Sequence, residues 1–483
     1  MRGSRFLPAP FLPLKMRLIL LFVLITLNLK AQVFSRTDSG FGGASLASFT
    51  WTSEGFIAAN EDINALGVMQ YGRFDSLGNL LQLKSYDYKS LDSSFRVIPC
   101  GNCLQKVGDH YLLAHNEFAS SDSGFVRFTK LDQYLDTIYT HIHLSFQNAI
   151  PTIRAWQFDT DSTFMVTGNL YRKTTRNKYD LWVGRFDTAF NPLWQVRIPD
   201  SMPNMNGGYY GYDIALDEYG SVLVSGRESY YDLGQRIYID HSFSARLDRQ
   251  TGALKWWHAF NQDVGSMNIA ATDNGDGSYS FVRLEVLAYF QNSSLPNGAR
   301  LRFGYLDTAG QVIYDTITGP LFSVRFEFTD LVKGTDGNLY LAGEILIPPD
   351  KKPIAAYKFT PQGDSLWFRV YAHLGDSTDQ HQIWAYQEAP DSGFLHLGVL
   401  RDFDNDITPV RQQHFYMLRT NANGCLVPGC ESISVSEWNA PKPSFGLYPN
   451  PARDRVALQW EAPSEAFFED GLKVQIRNSS GQL

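Results

Sequence analysis

Three aspartates at alternate positions, Asp402, Asp404 and Asp406, come closest to a metal-binding motif in this sequence. Calcium prefers several carboxylate oxygens supplied by one loop, so this run is a candidate calcium site. The glycine and glutamate of a helix–loop–helix calcium loop are missing, since Ile407 and Thr408 follow directly. We therefore favour a solvated loop between strands, with calcium as the alternative and no other cofactor expected.

Four cysteines form two close pairs, Cys100/Cys103 and Cys425/Cys430. Disulfides persist in exported proteins, and short local bridges suit this spacing. A redox-active CxxC motif would need a strand before it and a helix after it, whereas the residues around Cys100 are typical of short strands. We predict two local disulfides, with a zinc site built from all four cysteines as the alternative.

The rest of the chain carries no recognised catalytic motif. His141 and His143 share one face of a predicted strand, but no third metal ligand is evident. Neither GxSxG nor HExxH occurs, and there is no phosphate-binding loop. The net charge of −8 argues against a nucleic-acid partner, because phosphate recognition needs a basic face. The sequence thus leaves the catalytic residues unknown.

A sequence unit recurs along most of the chain, and the strands that it forms would position any functional site. Each copy has a strand-like stretch, an apolar residue and then an anchor residue that opens a turn, as in YGRFDSLGN from Tyr71. Seven copies at spacings of 53 to 61 residues indicate an internal repeat. The anchors are Asp75, Asp132, Asp187, Asp248, Asp307, Thr360 and Thr420.

Each unit offers four strands separated by turn signals. An Asp- and Gly-rich turn precedes an apolar strand upstream of each anchor, as in TDGNLYLAG from Thr335. Short strands at even spacing indicate an all-β repeat, and four strands per unit repeated radially make a β-propeller. We predict a seven-bladed β-propeller of four-stranded blades over residues 32–432. The units resemble those of large β-propeller repeat proteins of exported bacterial type.

A basic residue precedes several anchors by two positions, as at Arg73, Lys130, Arg185 and Arg246. Alternate residues of a strand share a face, so we expect each basic side chain to pair with its own anchor aspartate. The alternative is a ring of cationic groups around one mouth of the propeller.

The N-terminus predicts a signal peptide over residues 1–31. The apolar run from Leu18 to Leu29 follows Lys15 and Arg17, and Ala31 offers a cleavage position. The run is short for a transmembrane span, which needs about 20 residues. Met16 is an alternative start, because the residues before it add nothing to the signal.

The C-terminal composition changes after a linker over residues 433–443. The run FGLYPNPARDRVAL, from Phe445, resembles the C-terminal sorting domain of proteins exported by the bacterial type IX secretion system. The matching residues are Tyr448, Pro449, Asn450, Pro451 and Asp454. The resemblance implies a small β-sandwich over residues 444–483, truncated here, with the type IX machinery as partner. It also implies a secreted or outer-surface location.

The expected function is a non-catalytic binding module for a glycan or protein ligand. The alternative is an extracellular polysaccharide hydrolase or lyase with acidic residues around the propeller channel. Alternation places most tryptophans in the core, while some could line a binding face. The tryptophans concerned are Trp156, Trp182, Trp194, Trp256, Trp257, Trp367 and Trp384.

Overall fold

The computed structural model describes strands and turns, which confirms the predicted all-β class. The signal peptide, the linker and most of the sorting segment lie outside the described residues. The described residues are 34–38, 44–62, 65, 67–88, 96–120, 123–143, 149–160, 162–172, 178–199, 207–232, 237–260, 265–286, 298–322, 325–328, 330–346, 352–371, 380–402, 412–426, 445–448 and 457–460.

The strands follow the chain in antiparallel sheets, each numbered here by its place in the sequence. Strand β1 (Phe34–Asp38) comes first. Sheet 1 contains β2 (Ala44–Thr52), β3 (Gly55–Asp62), β4 (Val68–Asp75) and β5 (Leu80–Asp87). Sheet 2 contains β6 (Arg96–Val107), β7 (His110–Ser120), β8 (Ser123–Leu131) and β9 (Thr137–His143). Sheet 3 contains β10 (Ala149–Thr160), β11 (Thr163–Arg172), β12 (Lys178–Asp187) and β13 (Pro192–Ile198).

The later sheets repeat this order. Sheet 4 contains β14 (Gly207–Leu216), β15 (Ser221–Asp232), β16 (Ile237–Asp248) and β17 (Leu254–Phe260). Sheet 5 contains β18 (Gly265–Asp273), β19 (Tyr279–Val286), β20 (Ala299–Leu306) and β21 (Val312–Phe322). Sheet 6 contains β22 (Arg325–Phe328), β23 (Val332–Lys333), β24 (Leu339–Leu346), β25 (Ile354–Phe359) and β26 (Ser365–Tyr371). Sheet 7 contains β27 (Gln380–Glu388), β28 (Phe394–Asp402) and β29 (Gln412–Thr420).

Strand β1 supplies the fourth strand of sheet 7. It pairs antiparallel with β29, with Phe34 opposite Arg419 and Asp38 opposite Phe415. In the other six sheets the last strand follows its anchor directly in the sequence. The N-terminal strand takes that place instead, so the first and last strands of the repeat region share one sheet.

Among the described residues, backbone pairing joins neighbouring sheets at two places. Lys178 and Tyr179 of β12 pair in parallel with Gly207 and Gly208 of β14, which merges sheets 3 and 4 into one eight-stranded sheet. An isolated parallel bridge pairs Lys352, just before β25 of sheet 6, with Gln380 of sheet 7.

Apolar side chains join each sheet to the next. Burying one such side chain contributes about 1.5–3 kcal/mol, so these clusters hold the sheets face to face. The last cluster joins sheet 7 to sheet 1, where the rings of Phe415 and Phe74 stack at 5.9 Å. The arrangement is consistent with a β-propeller. Representative pairs from successive sheets are Tyr71 and Leu113, Phe128 and Phe164, Val183 and Val224, Leu223 and Phe281, Phe303 and Phe359, and Tyr340 and Phe394.

The anchor residues close the turn between the third and fourth strands. Asp75 Oδ1 accepts hydrogen bonds from the amides of Leu77 (2.9 Å) and Asn79 (2.8 Å). In the last copy the anchor is Asn421, whose Oδ1 accepts from Cys425 N at 2.8 Å. The assignment of Thr420 was therefore wrong by one residue, because Asn421 N bonds Cys425 O in the last turn as Asp75 N bonds Asn79 O in the first.

The basic residues before the anchors do not pair with their own anchor where the structure describes their contacts. Arg246 binds Asp217 at 2.6 Å and donates to the carbonyl of Thr308 in sheet 5 at 2.7 Å. Arg185 pairs in the same way with Asp159 at 2.8 Å. The anchor carboxylates accept hydrogen bonds from the amides of their own turns. The basic side chains bind instead an aspartate earlier in the same sheet and, in the case of Arg246, a carbonyl of the next sheet.

The C-terminal segment is described only as two short strands. β30 (Phe445–Tyr448) and β31 (Ala457–Trp460) pair antiparallel, with Phe445 opposite Trp460. Tyr448 ends β30, whereas Pro449, Asn450, Pro451 and Asp454 lie outside the described residues. The sorting domain stays a prediction. Within the described parts of the chain, no helix has the length and apolar character to traverse a membrane.

Candidate functional site

The first strands of several sheets line a cavity of about 800 Å³. Strands β6, β10, β14, β18 and β27 contribute side chains, together with the segment from β22 to β23. In a β-propeller the first strand of each blade borders the central channel. The cavity therefore lies where the sequence predicts that channel.

β-Bulges in the first strands aim three large side chains at this cavity. The register shifts between Ile153 and Ala155 in β10, between Gly211 and Asp213 in β14, and between Ile383 and Ala385 in β27. A bulge leaves one residue unpaired and re-aims its side chain. The residues at these shifts are Arg154, Tyr212 and Trp384, and all of them line the cavity.

Two arginines lie against the ring of Tyr212. The guanidinium of Arg154 is 5.8 Å from the ring centroid, and that of Arg227 is 5.5 Å away. Cation–π contact at this range is favourable and holds the guanidinium groups in place. Arg227 also pairs with Asp240 at 3.5 Å, whereas Arg154 is exposed to the cavity.

A pair of acidic residues lines the same cavity. Asp213 is 6% exposed, and its oxygens accept hydrogen bonds from Ile214 N and Ala271 N, both at 2.8 Å. Burial raises the pKa of Asp213 well above its usual range, and the nearby charge of Asp330 raises it further. Burial also raises the pKa of Asp330.

A loop inserted in β6 reaches the second carboxylate. The register jumps from Pro99 opposite His115 to Leu104 opposite Leu113, so residues 100–103 bulge from the strand. Asn102, at φ 57°, donates through Nδ2 to Asp330 Oδ2 at 2.9 Å. The contact links sheet 2 to sheet 6, which are not neighbours along the chain.

Gly101 of this inserted loop meets sheet 7. A Cβ at this position would lie 2.5 Å from the carbonyl oxygen of Trp384, so only glycine fits without displacement. The loop therefore crosses towards two different sheets on the far side of the cavity.

The cysteines flank this loop and the last anchor turn. Cys103 and Cys425 are fully buried, and no cysteine among the described side chains is free. The side chains of Cys100 and Cys430 lie outside the described residues. The two local disulfides thus stay predictions, and the first of them would close the loop that carries Asn102.

Tyr212 and Trp384, the aromatic residues at the bulges, are half-buried and line the cavity. Trp156 is only 3% exposed and packs in an apolar core cluster. The indole nitrogens of Trp156 and Trp384 are buried within the cavity wall, so neither is offered to a ligand. The groups that a ligand could contact are therefore the rings of Tyr212 and Trp384 and the exposed guanidinium of Arg154.

The two histidines considered as metal ligands, His141 and His143, do not line the cavity. Asp402 is the last residue of β28, while Asp404 and Asp406 lie outside the described residues. His143 stacks on Trp182 with ring centroids 5.8 Å apart and bonds Gln195 at 2.9 Å, which is a packing role. Within the described segments no group of three or more His, Cys, Asp or Glu side chains could hold a metal ion.

Sequence reasoning named two tryptophans of the cavity and missed its charged groups. Trp156 and Trp384 were among the candidates for a binding face, and both line the cavity. Asp213, Asp330 and Arg154 carried no motif. Arg154 lies at the bulge of β10, and Asp213 lies beside the bulge of β14. Because a bulge has no fixed sequence signature, neither residue could be assigned to the cavity from the sequence.

Four-stranded antiparallel sheets around a polar cavity define an all-β protein consistent with the β-propeller class. No protein-family model matches the chain, and no curated protein matches it.

Among solved structures, the quinohemoprotein alcohol dehydrogenase of Comamonas testosteroni is similar with a TM-score of 0.44 and 11% identity, covering 82% of this chain and 76% of that one. A Dyadobacter fermentans protein of unknown function has a TM-score of 0.42 and 11% identity, covering 80% and 96%. A subtype N11 neuraminidase-like protein of A/flat-faced bat/Peru/033/2010 (H18N11) has a TM-score of 0.34 and 10% identity, covering 65% and 84%. At these scores the similarities carry no argument about the function of this chain.

Proposed function

We propose that this chain is an exported, seven-bladed β-propeller that binds a glycan in its central cavity without transforming it. The observation that carries the proposal is that the half-buried rings of Tyr212 and Trp384 line the cavity beside the exposed guanidinium of Arg154. Aromatic rings pack against the apolar faces of sugar rings, and a guanidinium group donates hydrogen bonds to sugar oxygens. A protein ligand is the competing outcome, and a binding screen separates the two.

The seven-bladed ring is supported by the repeat and by packing. The sequence contains seven copies of the repeat unit, and the described residues form seven apolar clusters. One of these clusters joins sheet 7 to sheet 1. Strand β1 provides a second link between the start and the end of the repeat region, since it precedes sheet 1 in the sequence and pairs with β29 of sheet 7.

The export route is supported by sequence features alone. The apolar run before Ala31 suits a signal peptide, and the YPNPA run suits a type IX sorting domain. We propose that the mature protein is secreted or held at the outer cell surface, with the type IX machinery as its transport partner.

A glycan array tests the binding proposal. The mature chain, beginning at Gln32, is expected to bind a subset of oligosaccharides with saturation. Trp384→Ala should weaken that binding at least about tenfold, because it removes a half-buried aromatic ring from the cavity wall. Tyr134→Ala is the matched control, since Tyr134 is 61% exposed and lies outside the cavity. Equal loss in both variants, or saturable binding of proteins but not glycans, would contradict the proposal.

A polysaccharide hydrolase is the second candidate, and the Asp213–Asp330 pair favours it. Carboxyl groups with raised pKa values serve as general acids in glycoside hydrolysis. Against it, named donors engage both oxygens of each carboxylate. Incubation of the array ligands with the protein decides between the two. Product release that Asp330→Asn abolishes would establish the enzyme, and intact ligand would support the binding module.

A further inference from the structure

Arg154 is the distinctive charged group of the cavity. It sits at the bulge of β10, it is exposed, and it forms no ion pair with any described residue. The other arginine beside Tyr212, Arg227, is neutralised in part by Asp240 at 3.5 Å. A cation held against an aromatic ring without a counter-ion is a site for an anionic group.

None of the described acidic residues that line the cavity forms an ion pair with Arg154. Glu344 pairs with Lys352 at 3.4 Å, and Glu327, which stands opposite Glu344 in sheet 6, does not pair with Arg154. Asp213 and Asp330 are bound by amide donors, and burial raises the pKa of each carboxyl. Raised pKa values reduce the negative charge that this pair presents to a ligand.

Asp273 is the remaining acid that lines the cavity. Burial raises its pKa, while the nearby Lys333 ammonium opposes that shift. Lys333 itself lies within 3.4 Å of the Asp273 carbonyl oxygen, so this corner of the cavity has its own cation. The net effect is that Arg154 faces the cavity with its charge available.

We propose that the ligand of this cavity is a carboxylated saccharide, a uronic acid, whose carboxylate binds Arg154. The inference rests on the proposed glycan-binding function and narrows it. The rings of Tyr212 and Trp384 would contact the sugar faces, and the planar guanidinium would bind the carboxylate through two parallel hydrogen bonds.

The test compares a carboxylated ligand with its uncharged methyl ester. Binding of an oligogalacturonate and of its methyl ester is measured by titration calorimetry with the full mature chain. The acid is expected to bind at least about tenfold more tightly than the ester, because hydrogen bonds between charged groups are the stronger ones. Arg154→Gln should abolish this preference and leave the affinity for the ester nearly unchanged.

Lys106→Gln is the matched control. It removes the same charge from an exposed position of β6 that does not line the cavity, so it should keep the preference for the acid. If wild type binds acid and ester equally, or if Arg154→Gln retains the preference, the uronate inference is overturned while glycan binding stands. If neither these ligands nor any other glycan binds, the proposed function itself fails.

Discussion

Arg419 in sheet 7 donates a hydrogen bond from Nη1 to the carbonyl oxygen of Ser76 in sheet 1, at 2.6 Å. The two residues are 343 positions apart in the sequence. Basic side chains bind a carbonyl oxygen of the next sheet in the same way elsewhere, since Arg246 donates to Thr308 and Lys358 donates to Ala422. The same type of hydrogen bond thus connects consecutive sheets and also connects sheet 7 to sheet 1.

Removing Arg419 should weaken this junction. Its side chain also binds Asp391 at 3.0 Å and is only 5% exposed, whereas the Asp391 side chain is 22% exposed and keeps a hydrogen bond from Gly393 N. Arg419→Ala removes the donor to the Ser76 carbonyl and one partner of the ion pair, so we expect a loss of about 1–3 kcal/mol in unfolding free energy, measured by urea denaturation. Lys84→Ala removes the exposed pair with Asp136 between sheets 1 and 2 and should cost much less, because water screens an exposed ion pair. Equal losses would contradict a special role for Arg419.

A glycine in an anchor turn should be required for sheet contact as well as for backbone conformation. Gly310 and Gly337 both have φ 78°, but only Gly310 packs against a side chain. A Cβ on Gly310 would lie 2.5 Å from the Trp256 ring, and one on Gly337 would meet nothing within 4 Å. Gly337→Ala should cost about 1 kcal/mol, and Gly310→Ala about 1–3 kcal/mol more.

Thermal melting of the two glycine variants measures the difference. A similar decrease in Tm for both would mean that the turn conformation alone accounts for the cost and that the Trp256 contact contributes little.

Strand β1 should stabilise sheet 7. A chain that begins at Ser39 lacks β1 and exposes the edge of β29, whereas a chain that begins at Gln32 keeps the pairing. We expect the shorter chain to lose about 2–4 kcal/mol, because the ladder hydrogen bonds disappear. Limited proteolysis within sheet 7 measures the effect, and a peptide covering residues 32–40 should restore protection. Equal protease resistance of both chains would argue against closure by β1.

The buried His396 should make the protein sensitive to acid. Burial lowers the pKa of His396 to about 4, and its Nδ1 donates to the Leu418 carbonyl oxygen at 3.0 Å. Between pH 6.5 and 4 the unfolded chain protonates this histidine, whereas the folded protein keeps it neutral, so stability falls as pH drops towards 4. The unfolding free energy should decrease by about 3 kcal/mol between neutral pH and pH 4 or below.

His396→Gln should flatten the decline in Tm between pH 6.5 and 4, even if the variant is less stable at every pH. His141→Gln, on the half-buried face of outer strand β9, is the control and should leave the decline intact. An unchanged slope in His396→Gln would show that another group causes the acid sensitivity.

The repeat made the strand order predictable, because anchors such as Asp75 impose the same turn in each unit. The last unit shows the limit of that reasoning. Thr420 fitted the spacing, but Asn421 accepts the turn amides, and Arg419 then stands two residues before the anchor as Arg73 does before Asp75. Aligning the copies on the basic residue, rather than on the spacing between anchors, identifies Asn421 as the last anchor.

The cavity was less predictable than the fold. Trp384 could be proposed as a ligand contact from its type, whereas Asp213 and Arg154 required knowledge of the bulges. The pairing of β1 with β29 was also hidden, since Phe34–Asp38 has no anchor turn and pairs with a strand at the other end of the repeats. Local patterns set the hairpins, and contacts between distant segments set the site.

For the proposed glycan-binding function, the bond between Asn102 and Asp330 limits which part of a polymer the cavity could admit. It joins sheets 2 and 6 across the cavity, with Gly101 against the Trp384 carbonyl beside it. A polysaccharide threaded past this contact would have to break it, whereas a chain end or a short side branch could bind without doing so. The proposed ligand would therefore be recognised at a terminus rather than along the middle of its chain.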